Sequence, residues 1–276
     1  MHRAANLSVL AAITWTVAWT AAVSGQGRRS TDRTMGGCEE RWNSDRASYC
    51  EMREETIATG AVNPLDIDAG QNGGIRVRGW DRPDVHMRAR VQASADTDAE
   101  ARQLVSGVRI VTGNGSIRAE GPSSRGDSNW SVSFEIDVPR TAILTLHTHN
   151  GGISIGDFRG TANFSAVNGG VTLRDVGGDI RGETTNGGLT VDLSGDRWDG
   201  AGLDVETKNG GVTMSLPEHY SAALETATTN GRLNIDFPIT VSGQINPRHL
   251  TTTLGAGGAR LRVVTTNGGV RIARKS

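Results

Sequence analysis

Residues 144–191 read LTLHTHNGGISIGDFRGTANFSAVNGGVTLRDVGGDIRGETTNGGLTV, and Asn-Gly-Gly begins at Asn150, Asn168 and Asn186, 18 residues apart each time. Outward from this stretch the motif, or a near copy, begins again at Asn72, Asn114, Asn209, Asn230 and Asn267. The later steps widen to 23, 21 and 37 residues. A repeat near 20 residues marks stacked coils, each of which relies on its neighbours to bury its apolar face. Counting from each Asn as zero, positions −6 and −4 are mostly apolar, as in Leu144/Leu146 and Leu203/Val205. Position −2 is Thr in most copies, and +3 and +5 are apolar again, as in Ile153/Ile155, Val171/Leu173 and Leu189/Val191. Alternation on both sides of a turn predicts two short strands per coil. The predicted fold is all-β, a parallel β-solenoid resembling a single-stranded β-helix, with 18 to 23 residues per coil.

Asn-Gly between alternating runs is also the strongest short-range hairpin signal, so an antiparallel meander is the rival fold. Parity favours the solenoid. Positions −6, −4, −2 and 0 share one face, which points the corner residues Asn150, Asn168, Asn186, Asn209, Asn230 and Asn267 inward. There a column of carboxamides bonds coil to coil at the ~4.8 Å strand spacing, and no amide is left buried and unpaired. Asn-Gly tolerates positive φ at a tight corner, and the second Gly lets one coil's backbone lie close to the next. A second set of turns, Gly156–Gly160 and Val176–Asp179, falls midway between the Asn corners.

The flanks set the organisation. His2 and Arg3, an apolar stretch from Leu7 to Val23 and the small residues Ala22 to Gly25 read as a signal peptide over 1–25; an uncleaved anchor is the alternative. Residues 26–53 form a polar leader in which Cys38 and Cys50, the two cysteines, are expected to pair in an oxidising compartment. The solenoid domain is assigned to 54–276, with one short helix near 98–106 capped by Asp96 or Asp98 and ended by Gly107. No later segment is apolar enough to span a membrane, and the expected location is secreted or cell envelope. Without Arg3 the chain has 28 basic and 30 acidic residues, a near-neutrality that argues against a nucleic-acid partner.

The run WSVSFEIDVPRTAILTLHTHNGGISIGDFRGTANFSAVNGGVTLRDVGGDIRGETTNGGLTVDL, residues 130–193, is a strand ending in Val-Pro followed by coils of the form T-x-N-G-x-I/V. In this it resembles the bacterial putative-adhesin family, long catalogued as a domain of unknown function, and the resemblance covers roughly 55–273. It implies a secreted or envelope-attached β-solenoid. The matched motif is structural, so it transfers no binding residue.

Candidate chemistry is sparse. His147 and His149 lie two apart on one outward strand face, a spacing that suits Zn²⁺ or Cu²⁺, but their stacked neighbours Ser165 and Val167 offer no further strong ligand. Glu183 and Glu206 share the outward −3 column and give a polysaccharide-acting enzyme its two carboxylates, yet Arg181 and Lys208 stand nearby and no aromatic platform accompanies them. Asp157, Asp175, Asp179 and Asp192 miss the nonapeptide Ca²⁺ register, and no Gly-x-Ser-x-Gly occurs. The sequence therefore predicts no catalytic residue, metal or cofactor. Its reading is an exported, non-enzymatic surface protein that meets a polysaccharide or protein partner along its faces and through loops 121–129 and 242–258. A polysaccharide-acting β-helix enzyme and an accessory protein of envelope-stress signalling are the alternatives, and oligomeric state stays open.

Overall fold

Each Asn-Gly corner joins two runs whose alternate residues are apolar, and the two runs enter different sheets. A computed structural model describes residues 38, 46–58, 64–123, 126–236 and 246–275 of the chain. The expected signal peptide and most of the leader before residue 46 lie outside them. The chain opens with β1 (Ala47–Ile57), β2 (Leu65–Asp68), β3 (Ile75–Trp80), β4 (Val85–Ala95), the helix α1 (Asp98–Gly107), β5 (Arg109–Gly113), β6 (Ser116–Glu120) and β7 (Asn129–Pro139). The regular array follows as β8 (Ile143–Asn150), β9 (Ile153–Gly156), β10 (Thr161–Asn168), β11 (Val171–Arg174), β12 (Asp179–Asn186), β13 (Leu189–Asp192), β14 (Gly202–Asn209) and β15 (Val212–Leu216). Last come β16 (Ala222–Asn230), β17 (Leu233–Asp236), β18 (His249–Leu254), β19 (Arg260–Asn267) and β20 (Val270–Arg274).

One sheet is ordered β1-β4-β7-β3-β9-β11-β13-β15-β20-β17 and the other β18-β16-β19-β14-β12-β10-β8-β2-β6-β5. Neighbouring coils pair parallel and in register, Ala162 opposite Ile180 and Leu173 opposite Val191, so the array is a solenoid rather than a meander. Leu144, Leu146, Ile153, Ile155, Ile180, Val205 and their counterparts are buried between the sheets. Each such side chain contributes about 1.5–3 kcal/mol when removed from water, enough in sum to offset the ordering of many short strands.

Four expectations change. Asn114-Gly115 is a hairpin between antiparallel β5 and β6, with φ of 50° and 75°, and not a coil corner. The helix is capped by Thr97, whose Oγ1 accepts from the Glu100 amide at 3.2 Å, because the residue between the two aspartates is the one left in extended conformation. Ala101 and Val105 bury its inner face, and it packs on β1 and β4. The assigned boundary at 53/54 falls inside β1, which pairs antiparallel with β4 along its whole length. Finally, His249–Leu254 is not loop: it is β18, antiparallel to β16 at one end of its sheet, while 242–245 lies outside the described residues.

The coils also do not stack in chain order. β19 lies between β14 and β16, and β20 between β15 and β17, so the last coil made is inserted beneath the one before it. No helix among the described residues is long and apolar enough to cross a membrane.

Candidate functional site

The corner residues make three aligned chains of contact. In the first, Nδ2 of Asn150 donates to Oδ1 of Asn72, Asn168 to Asn150, Asn186 to Asn168, Asn209 to Asn186, Asn267 to Asn209 and Asn230 to Asn267, all at 2.8–3.0 Å. The inward placement expected from parity is wrong: apart from the half-buried Asn72, these asparagines are exposed. Alternation fails because the chain bends at the corner. Pairing passes from Ala166↔Thr184 to Asn168↔Asn186 with no pair at Val167, which swings position 0 onto the outer edge.

The second chain is inward. Oγ1 of Thr148, Thr184, Thr207, Thr265 and Thr228 donates at 2.6–2.8 Å to the carbonyl of the first corner Gly in the adjacent coil, respectively Gly73, Gly169, Gly187, Gly210 and Gly268. The third is close packing of that same first Gly. A Cβ on Gly151, Gly169, Gly187 or Gly210 would lie 2.0–2.1 Å from the neighbouring coil's carbonyl oxygen, whereas one on the second glycines Gly170, Gly188 or Gly211 would stand 3.3–3.4 Å away. The closest approach therefore belongs to the first Gly, although the second glycines Gly152 and Gly74 are also tight, at 2.9 and 3.0 Å.

Glu183 and Glu206 are register partners on the outward face, but Glu206 is held by Arg262 at 3.5 Å. Arg262 also reaches Asp204 at 2.6 Å and Glu225 at 4.0 Å, and Arg260 bonds Glu225 at 2.5 Å. Burial opposes the Arg262 charge, but Asp204 and Glu206 outweigh it and hold its pKa above the usual arginine value. Those carboxylates are members of an ion-pair network. Among the described residues no aromatic side chain joins it.

His147 and His149 are exposed, and among the described residues no three His, Cys, Asp or Glu side chains are grouped to hold a metal. They line a cleft of about 660 Å³ whose floor is β8 and β10 and whose walls are the β2 corner, with Asp68 and Asn72, the end of β6, with Glu120, and the start of β7, with Trp130. Around to the other sheet, the outward face carries a shallow depression of about 270 Å³ lined by Gly152, Ser154, Gly170 and Thr172 among others. The exposed glycines Gly152, Gly170, Gly188 and Gly211 border a column of hydroxyls, Ser154, Thr172, Thr190 and Thr213, in register across β9, β11, β13 and β15. Cys38 and Cys50 are joined as a disulfide, Cα to Cα 5.5 Å.

The model of the family described as Toastrack DUF4097 matches residues 93–273. The chain belongs to that family. Among solved structures, the Toastrack chain is similar to a putative cell adhesion protein from Clostridium sporogenes, with 10% identity over 82% of this chain and 100% of that one and a TM-score of 0.41. It is also similar to a putative adhesin from Bacteroides fragilis, at 11% identity, 82% and 97% coverage and a TM-score of 0.29. A third is a putative lipid binding protein from Parabacteroides distasonis, at 9% identity, 80% and 96% coverage and a TM-score of 0.32. No curated protein matches the Toastrack chain.

The sequence did not reveal that Trp130, from the strand before the array, would line the same cleft as His147 and His149. Its only sign was position: Trp130 follows directly on the loop 121–129 expected to face solvent. The cleft draws on both sheets, and no local spacing encodes that.

Proposed function

We propose that this Toastrack domain is an exported, non-enzymatic binding scaffold of the cell surface or envelope, which lies along an extended polysaccharide or protein partner with the outward face of its short-strand sheet. The observation that carries the reading is the glycine-bordered column Ser154, Thr172, Thr190 and Thr213. It offers one hydroxyl per coil at a ~4.8 Å spacing, on a rigid strip with few side chains to immobilise. Many weak, repeated contacts on such a body add up without any one residue dominating. The Cys38–Cys50 disulfide supports an oxidising location.

Catalysis has less support. Glu206 is engaged by Arg262, so one of the two carboxylates that glycoside hydrolysis needs is already committed to an ion pair. Co-sedimentation of the purified mature protein with insoluble envelope polysaccharide tests the proposal. Binding is expected, and T172E combined with T190E is expected to weaken it at least tenfold while leaving the circular dichroism spectrum unchanged. Sedimentation of the double variant at wild-type levels overturns the face assignment. Release of soluble sugar by the wild type, lost in E183Q and E206Q, overturns the non-enzymatic reading.

A further inference from the structure

The carboxamide chain has a direction. Every corner Nδ2 donates toward the N-terminal coil, so the chain ends at Asn72, whose Oδ1 is taken by Asn150 and whose Nδ2 has no partner among the described residues. Aligned amides polarise one another, which strengthens the terminal donor. Asn72 lines the wall of the 660 Å³ cleft.

The rest of the cleft complements it. Asp68 spends Oδ1 on the Gly70 amide at 2.8 Å, which leaves its other oxygen to accept. Glu120 adds a second carboxylate, with Oε1 on Arg118 at 3.0 Å. His147 and His149 rise side by side from the floor, each able to donate or accept. Trp130 is pinned: its Nε1 donates to the Pro122 carbonyl at 2.7 Å, and its ring lies so close over Gly121 that a Cβ there would sit 2.7 Å from Cε2 and Cζ2. With its polar atom satisfied, the indole presents only apolar surface to the cleft.

We infer that this cleft binds a neutral saccharide unit, its hydroxyls bonded by Asn72, Asp68, Glu120 and the two imidazoles and its C–H face packed against Trp130. The volume lies within the roughly 300–1,000 Å³ of small-molecule sites. Two carboxylates, Asp68 and Glu120, oppose uronic acids, phosphates and other anions. The inference rests on the binding-scaffold reading but uses a different face, so the two fail separately.

The test is titration of the mature protein with neutral di- and trisaccharides, and in parallel with galacturonic acid oligomers, followed by the Trp130 indole N–H resonance. Neutral sugars are expected to shift that resonance and acidic oligomers to leave it in place. H149A and N72A, at exposed and half-buried positions, are expected to lower affinity at least tenfold with the fold intact. W130F, which keeps an aromatic ring, should retain more affinity than W130A. Absence of any shift at millimolar neutral sugar, a preference for the acidic oligomers, or full affinity in both H149A and N72A overturns the assignment. If envelope sedimentation persists through the T172E/T190E-sensitive face while these titrations are silent, only the cleft proposal falls.

Discussion

At a corner the two glycines of Asn-Gly-Gly look alike in sequence and are unlike in space. A methyl on Gly169 would sit 2.0 Å from the Gly151 carbonyl oxygen, backbone that cannot swing aside, whereas on Gly170 it would sit 3.3 Å from the Gly188 oxygen. G169A is therefore expected to destabilise by about 1–3 kcal/mol or more, as over-packing does. G170A should change stability by less than about 1 kcal/mol, because the mild contact is offset by reduced freedom of the unfolded chain. Urea midpoints of the two variants decide it, and equal losses would refute the distinction. Thr226 poses the opposite case. It is fully buried, opposite Val263 and Leu250, and its Oγ1 has no hydrogen-bond partner among the described residues. Because a buried hydroxyl without a partner costs about 1–3 kcal/mol, T226V is expected to raise the urea midpoint with an unchanged m-value, a gain of about 1 kcal/mol. The sequence showed both residues but not their surroundings, since a Thr at −4 and a Thr at −2 differ only in whether a carbonyl stands opposite.

Between strands, register turns a column of residues into a column of contacts. Position −4 of the Asn186 coil is Gly182, a break in the apolar column, and the structure accounts for it: Phe164 from β10 fills the space, and a Cβ on Gly182 would lie 2.4 Å from its ring. Large and small residues thus alternate across the coil boundary. F164A is expected to cost about 3–5 kcal/mol, and G182A alone about 1–3 kcal/mol. Together they should cost less than the sum by about 1–3 kcal/mol, since the added methyl enters space the ring has left. A double-mutant cycle by denaturant unfolding measures that coupling, and strict additivity would disprove the packing account. The elements themselves were legible, because period-two alternation fixes strands locally and the 18-residue interval fixes their stacking. The Asn orientation was not, because alternation holds within a strand and is lost where the chain bends. Nor could the hairpin at Asn114 be told from a corner, as the same Asn-Gly serves both geometries.

Across the whole molecule, the sequence implied coils stacked in the order they are made, and the C-terminal coil departs from it. The 37-residue step from Asn230 to Asn267 was the one visible sign, but interval length cannot say where the returning strand lands. It lands inside the stack, with Asn267 bonded to both Asn209 and Asn230. In a solenoid whose stability is a sum of nearest-neighbour interfaces, an end coil holds one interface and an interior coil two. Removal of residues 259–276 therefore strips β16 and β17 of their parallel neighbours as well as uncovering β14 and β15. Hydrogen exchange on such a truncated chain is expected to show lost amide protection through β14–β18 while β8–β11 stay protected. The motif at Asn230 matches that at Asn267, however, so a chain able to slide β16 onto β14 would restore the carboxamide chain directly from Asn209 to Asn230. Only Pro217 to Ser221 connect β15 to β16, a link that in the intact protein already spans the inserted coil. Retained protection in β14–β17 after truncation would show that this link permits the slide, and that the inserted coil is a replaceable wedge rather than the tie that holds the end of the stack.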